Sequence, residues 1–400
     1  MPLSNTAQTY GGVAKTLHWL TAALILTAFP LGLIANDWGY DTSEQLATKA
    51  TLFSLHKTLG VTLFFVALAR ILWAVSQPRP APMHPERRLE TFLADLVHWM
   101  LYVSLVAVPL TGWVHHAATS GFAPIWWPFG QTLPFVPQTP AVETGAAALH
   151  WLFTKVLAVS LILHIAGAVK HQVVDRDGVL RRMLPGAADT SNVPAPKRHG
   201  FAPVAVAGLI YLAGAGAALT LIPAPEATSR TALQAPETGW EVTDGTLNFD
   251  VRQLGSAVTG RFDDWTAAIT FDEVARDGAH GSVTVTIAVD TLTLGSVTSQ
   301  AKGPDFFDVE NHPTAVFEAE IVPQGVGEGY LAQGTLSLAG ASVPVSLPFN
   351  LTVTGNTAQM TGTVTLDRRN FGMGESYQDE TTVGFDVTVN VDLSATRVDE

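Results

Sequence analysis

The 400-residue chain has no cysteine. That excludes disulfides, thiolate metal sites and the C-x-x-C-H attachment of a c-type haem, and it leaves the redox compartment unreadable from thiols. Charge is also scarce, at 14% of residues, and it is unevenly spread. Residues 1–223 hold 14 Lys and Arg against 10 Asp and Glu, a net +4, whereas residues 224–400 hold 8 against 25, a net −17. So acidic a C-terminal part repels phosphate, and no nucleic-acid partner is expected. The N-terminal apolar run Leu17–Ala35 has one Lys before it and lacks an A-x-A-like cleavage site, so it reads as a retained span.

The first half is rich in long apolar runs. Five have membrane-spanning length, over roughly 16–36, 53–75, 92–115, 148–171 and 202–222. The fifth has neither charge nor histidine; its Gly208, Gly214 and Gly216 suit either close helix packing or a plain anchor. Basic residues set the orientation. Arg70, Arg79, Arg87 and Arg88 follow the second span, and Lys170, Arg176, Arg181, Arg182, Lys197 and Arg198 follow the fourth. The other two loops carry only Lys49 against Asp37, Asp41, Glu44 and Glu143. The N-terminus is therefore expected in the cytoplasm of a bacterial inner-membrane protein, and the C-terminal domain in the periplasm.

After a linker over 224–238, marked by Pro225 and Pro236, the pattern changes to period two, as in Ser282-Val283-Thr284-Val285-Thr286-Ile287. Turn residues such as Asp277-Gly278, Gly340 and Gly355-Asn356 separate the runs. This predicts an antiparallel all-β sandwich or barrel of about eight strands, with a small helix near Pro304–Val309.

Four histidines, His18, His56, His150 and His164, lie inside apolar helical stretches, where an imidazole is costly unless it has a function. His150 and His164 are 14 residues apart, so they share a helix face about 21 Å apart along the axis. Depth then allows only the pairs His18/His164, toward the cytoplasm, and His56/His150, toward the outside. Two metal centres at two depths are the geometry of a transmembrane electron wire of two b-type haems, each bis-histidine and closed to further ligands. Core histidines bonded to carbonyls are the competing reading; four that pair by depth, with no acidic or thiol partner, weigh against it. His98 is read as an interface histidine or a hydrogen-bonding partner of quinone or haem. His115, His116 and His171 are read first as snorkelling span ends, and Trp19, Trp99, Trp113, Trp126 and Trp127 as an interfacial belt.

Residues 10–185 resemble the bacterial cytochrome b561 family of membrane di-haem proteins. The stretches that carry the resemblance are Thr16-Leu17-His18-Trp19-Leu20, Leu55-His56-Lys57-Thr58-Leu59-Gly60 with Arg70, Leu93-Ala94-Asp95-Leu96-Val97-His98, Pro109-Leu110-Thr111-Gly112, Leu149-His150-Trp151 and Leu163-His164. The resemblance implies that the four histidines are axial ligands of two haem b groups. It also implies a ubiquinone-linked oxidoreductase, with superoxide as a leading outer-face donor. Residues 239–395 resemble the YceI-like family of lipocalin-like barrels that bind polyisoprenoids, through Gly260-Arg261-Phe262-Asp263-Asp264-Trp265, Asp305-Phe306-Phe307-Asp308-Val309 with His312-Pro313, and Leu366-Asp367-Arg368-Arg369-Asn370-Phe371-Gly372-Met373-Gly374.

The expected architecture is an α-helical membrane bundle followed by an all-β lipocalin-like antiparallel barrel. The bundle has a four-helix di-haem core at 10–185 and a fifth transmembrane helix at 200–223; the linker occupies 224–238 and the barrel 239–395. Phe262, Trp265, Phe306, Phe307, Phe317, Phe371 and Phe385 are candidate walls for an elongated apolar ligand, ubiquinone or a related isoprenoid quinone. His280 and His312 are not read as a site. The −17 domain opposes approach of superoxide, but Lys49, Lys57, Lys155, His115 and His116 supply local cations on the outer side. Two other functions fit the pattern: an isoprenoid carrier whose haem bundle anchors it or senses redox state, and an electron-transfer subunit of a separate dehydrogenase. The partners are the bilayer and the isoprenoid lipid; oligomeric state is not set by the sequence.

Overall fold

The computed structural model describes residues 2–119, 122–186, 200–220, 233, 239–295, 297–325 and 329–398. The expected linker 224–238, apart from Leu233, lies outside the described residues, as do Lys197 and Arg198. Chain contacts separate two units, one holding the helical bundle and the other the barrel with residues 38–50 and 122–123.

The helices α1 (Gly12–Asp37), α2 (Ser43–Ser76, in the first unit from Thr51 on), α3 (Arg88–Ala118), α4 (Pro140–Lys170) and α5 (Ala202–Thr220) are all long and apolar enough to cross a membrane. The chain is a multi-pass membrane protein. Helices satisfy their own backbone groups, which a lipid solvent demands. The first four helices overrun the expected spans. α2 starts ten residues before position 53, because Glu44, Gln45 and Lys49 dilute hydropathy without interrupting the helix. A π-helical turn, His171–Asp175, extends α4. Pro30 in α1 and Pro109 in α3 remove ladder hydrogen bonds within helices. The fifth helix is more than an anchor. The Tyr211 hydroxyl donates to Met100 O at 3.0 Å and bonds Ser104 Oγ, and its ring meets Phe153 at 5.2 Å. Of its glycines, Gly214 approaches Leu152, whereas Gly208 and Gly216 face open space.

In the second unit, strands β1 (Trp240–Gln253), β2 (Ser256–Phe262), β3 (Trp265–Arg276), β4 (Ala279–Ala288), β5 (Leu292–Thr293), β6 (Thr314–Pro323), β7 (Gly329–Leu338), β8 (Ala341–Thr354), β9 (Thr357–Asp367) and β10 (Val383–Arg397) form one antiparallel sheet. Pairing of β1 with β10 along most of its length, and with β3 at Trp240–Ile269, closes an eight-stranded barrel from β1, β3, β4 and β6 to β10; β2 and β5 continue beside β1. Period two sets the register: on β6, Ala315, Phe317, Ala319 and Ile321 are buried while Glu318 and Glu320 are exposed. The Asp277-Gly278 and Ala339-Gly340 hairpins have positive φ at both turn residues, the twist-compatible geometry for two-residue loops. The small helix is α6 (Thr298–Lys302), upstream of the expected 304–309, because Gly303 and Pro304 end it and the next residues turn.

Candidate functional site

The bundle brings the four histidines together in pairs. The His18 and His164 ring centres lie 6.1 Å apart, and those of His56 and His150 lie 6.3 Å apart. Two imidazoles bound to one metal at about 2.0–2.1 Å place their ring centres about 6 Å apart, so both pairs fit a bis-histidine metal such as haem iron.

The His56/His150 pair is preset by one device used twice. His56 Nδ1 donates to Ala28 O at 2.9 Å, and His150 Nδ1 donates to Val108 O at 2.9 Å. Locking the proton on Nδ1 leaves Nε2 as the free ligand atom. The carbonyls are reached across glycines. A Cβ on Gly32 would stand 2.6 Å from His56 Cε1, and one on Gly112 would stand 2.9 Å from both His150 Cε1 and Nδ1. In each case the glycine lies four residues after the acceptor, with Pro30 or Pro109 between them. The sequence signal was a Pro-Leu-Gly or Pro-Leu-Thr-Gly run, of which only the second stood out.

The His18/His164 pair is set differently. Arg70 Nη2 lies 3.2 Å from His18 Nδ1. Arginine only donates, so here Nδ1 accepts, and a metal-ligating His18 must exchange this tautomer. His98 brings its ring 5.1 Å from that of His164.

The expected outer-face cations separate into two groups. His116 is buried, contrary to the expected snorkelling: Lys57 Nζ donates to its Nδ1 at 3.3 Å, and its Nε2 donates to Gln131 Oε1 at 2.9 Å. His115 turns inward too, donating from Nδ1 to Glu143 O at 3.2 Å. Lys155 is not part of this chain; it is exposed and lies 5.5 Å from the Trp151 ring. His171 is also no free span end. It joins a network in which its Nδ1 donates to Asp177 at 2.6 Å, while Lys170 and Arg87 neutralise Glu90 and Asp175. Glu90, His171 and Asp175 approach one another closely enough to hold a metal, but these cations already occupy both carboxylates.

The barrel encloses a cavity of about 280 Å³. Phe262, Trp265, Phe306, Phe307, Phe317 and Phe371 line it; Phe385 does not, and its ring instead lies 3.9 Å from the Arg369 guanidinium. Arg368 is buried beside the cavity, and its five N–H groups are satisfied by the carbonyls of Gly384, Met373, Gly374, Tyr377 and Val383. His280 and His312 lie apart; His280 donates to Asp272 O and stacks on Phe271.

A multi-pass helical bundle joined to an antiparallel barrel with an apolar interior is the class this fold defines. A family model described as prokaryotic cytochrome b561 matches residues 9–186, and one described as a YceI-like domain matches residues 240–395. Cytochrome b561 homolog 2 of Escherichia coli strain K12 is 31% identical over 189 residues, 46% of this chain and 95% of its own length. The probable superoxide oxidase CybB of Yersinia pestis is 24% identical over 173 residues, 42% of this chain and 92% of its own. The crystal structure of BcnA from Burkholderia cenocepacia, 28% identical, covers 38% of this chain and 96% of that chain with a TM-score of 0.36. The chain belongs to the cytochrome b561 family and carries a C-terminal YceI-like domain. Family membership implies haem b.

Proposed function

We propose that the chain is a di-haem membrane cytochrome that moves electrons between a periplasmic-side donor, superoxide foremost, and ubiquinone, while its barrel holds a quinone or another isoprenoid. His18/His164 and His56/His150 are the ligand pairs. The observation that carries this reading is the two facing imidazole pairs, 6.1 and 6.3 Å between ring centres, on helices of membrane length. Haem b at each pair supplies one-electron relay across the membrane.

This chain's own residues supply the rest. Carbonyls of Ala28 and Val108 orient the outer imidazoles and fix their tautomers. Lys57, held beside His116, places a cation next to His56 and offsets the repulsion of the acidic domain for an approaching anion. The relay Lys57–His116–Gln131 orders protons along one direction, since Lys57 donates and Gln131 Oε1 accepts. The basic residues after the second and fourth spans favour a cytoplasmic N-terminus and a periplasmic barrel in the inner membrane.

Stopped-flow spectroscopy of haem-loaded protein, pulsed with superoxide and then given ubiquinone, tests the reading. Rapid reduction followed by quinone-dependent reoxidation is expected. Reduction by quinol alone would leave a quinone-linked protein with another donor, and a preparation without stoichiometric haem would overturn the ligand assignment. The apolar cavity also favours a second reading, an isoprenoid carrier with a redox-sensing anchor; such a protein binds quinone without turning it over.

A further inference from the structure

The barrel cavity is apolar along most of its length, yet its two ends differ. At one end Trp240, Ala358, Leu393 and Ala395 pack together. At the other, the lining includes Gln253, Gln300 and Arg368. Three bonding patterns place this trio together. Gln253 pairs in register with Val383. Arg368 donates to Val383 O at 3.3 Å and Tyr377 O at 2.6 Å. Gln300 Nε2 donates to the Tyr377 hydroxyl at 2.8 Å.

These three side chains are not equally available. Arg368 has no N–H left, because five carbonyls take all five. Gln300 gives one amide N–H to the Tyr377 hydroxyl. Gln253 is 5% exposed, and its Oε1 is buried with no hydrogen-bond partner among the described residues. Buried polar atoms are almost always satisfied, and an orphan acceptor in an apolar chamber is costly.

We propose that Gln253 is the head-group anchor of the barrel, and that the ligand it selects is an isoprenoid with a hydroxyl head, which donates to Gln253 Oε1 while the tail runs toward Trp240. The chemistry is shared by a quinol and by an isoprenoid alcohol. A quinone carbonyl cannot donate to Oε1, although it can accept from the amide N–H groups of Gln253. The inference rests on the reading of the barrel as an isoprenoid binder and adds a head-to-tail polarity to it.

The test uses the full-length protein in detergent, reduced beforehand with dithionite so that added quinol drives no turnover. Binding of geranylgeraniol and of its methyl ether is measured by titration calorimetry, for the wild type and for Gln253→Leu; Gln253→Glu, which keeps an acceptor, serves as the conservative variant. The alcohol is expected to bind the wild type about tenfold more tightly than the ether, the ratio to fall to about one in Gln253→Leu, and to be retained in Gln253→Glu. Equal binding of alcohol and ether by the wild type, or a ratio unchanged in Gln253→Leu, overturns the anchor and leaves the isoprenoid reading standing. Binding of neither compound overturns both. A parallel titration with ubiquinol-2 separates the two sources. A Gln253-dependent affinity for ubiquinol-2 well above that for geranylgeraniol assigns a quinol, and the reverse order assigns an isoprenoid alcohol.

Discussion

Replacing Gly32 by alanine adds one methyl group to α1, yet it is expected to remove a redox centre. The new Cβ would stand 2.6 Å from His56 Cε1 and 2.8 Å from its Nδ1, where ordinary contact begins at 3.4 Å. The imidazole must therefore retreat by about 0.8 Å, or α1 must move by as much. Retreat stretches the 2.9 Å bond from Nδ1 to Ala28 O and shifts the ring from its place 6.3 Å from that of His150. Overpacking of this kind costs about 1–3 kcal/mol. Loss of the hydrogen bond behind a metal-ligating imidazole costs about 10–100-fold in affinity for the bound group. The gain from removing a helical glycine is only about 0.5–1 kcal/mol, so the balance is unfavourable. Gly112→Ala repeats the collision on His150 with smaller overlap, the nearest atoms being at 2.9 Å, and is expected to be milder. Gly60→Ala in α2 is the control, since nothing lies within 4 Å of its Cβ. Haem content by pyridine haemochromogen, with the low-spin bis-histidine EPR signals, reads the outcome. The wild type and Gly60→Ala should hold two haems per chain and Gly32→Ala about one, with the surviving signal assigned through His18→Ala. Two haems with unchanged signals in Gly32→Ala would refute the argument that glycine clears the path of the imidazole.

Lys57→Met should slow superoxide-dependent haem reduction by about tenfold at low salt, with the difference shrinking as salt is added, whereas Lys155→Met should have little effect; equal effects would remove the special role of Lys57. Arg368→Met orphans five carbonyls in the barrel and should cost more than about 3 kcal/mol, lowering the melting temperature of the barrel by roughly 10 °C, followed by near-ultraviolet circular dichroism. Hydrogen bonds from Arg369 hold the Asp367 carboxyl below the usual carboxylate range, so its contribution is present above the unfolded value and is lost as pH falls through the folded one. Asp367→Asn should therefore destabilise the barrel at pH 7 by at most about 1 kcal/mol, the pair being partly exposed, with the difference lost as pH falls through the folded value in denaturant titrations. Because His18 must exchange a tautomer that His56 and His150 have already fixed, partial haem depletion should empty the His18/His164 centre first, as read by the two EPR signals; simultaneous loss would refute it.

The histidine pairs were legible because both constraints on them are one-dimensional: spacing along α4 and depth from the membrane face. What faces a neighbouring helix was not legible, because it depends on rotation about the helix axis. Lys57 and Lys155 each follow one of the paired histidines closely, yet Lys57 turns inward to His116 and Lys155 turns out beside Trp151. His115 and His116 stand where a snorkelling end residue would, but α3 runs on to Ala118 and the chain after it returns through Gln131 to cover His116. In the barrel, alternation gave the strands and most of the wall. It failed at Phe385, where Arg368 and Arg369 recruit the ring at 5.2 and 3.9 Å and draw it away from the interior.

Both halves of the chain sit in media that punish unpaired polar atoms: one in lipid, the other around an apolar chamber. In both, main-chain carbonyls absorb most of the cost. Ala28 and Val108 take the Nδ1 protons of His56 and His150, Met100 takes the Tyr211 hydroxyl, and five carbonyls take Arg368. Such bonds hold a side chain at a fixed angle without adding a second titrating group, so the atoms left over are well placed. Those atoms are the Nε2 positions of His56 and His150, whose ring centres lie 6.3 Å apart, and the Oε1 of Gln253. A metal between the two imidazoles, and a donor on a long tail at the Gln253 end of the chamber, would complete them. The same accounting that explains the stability of each half therefore marks where each half binds.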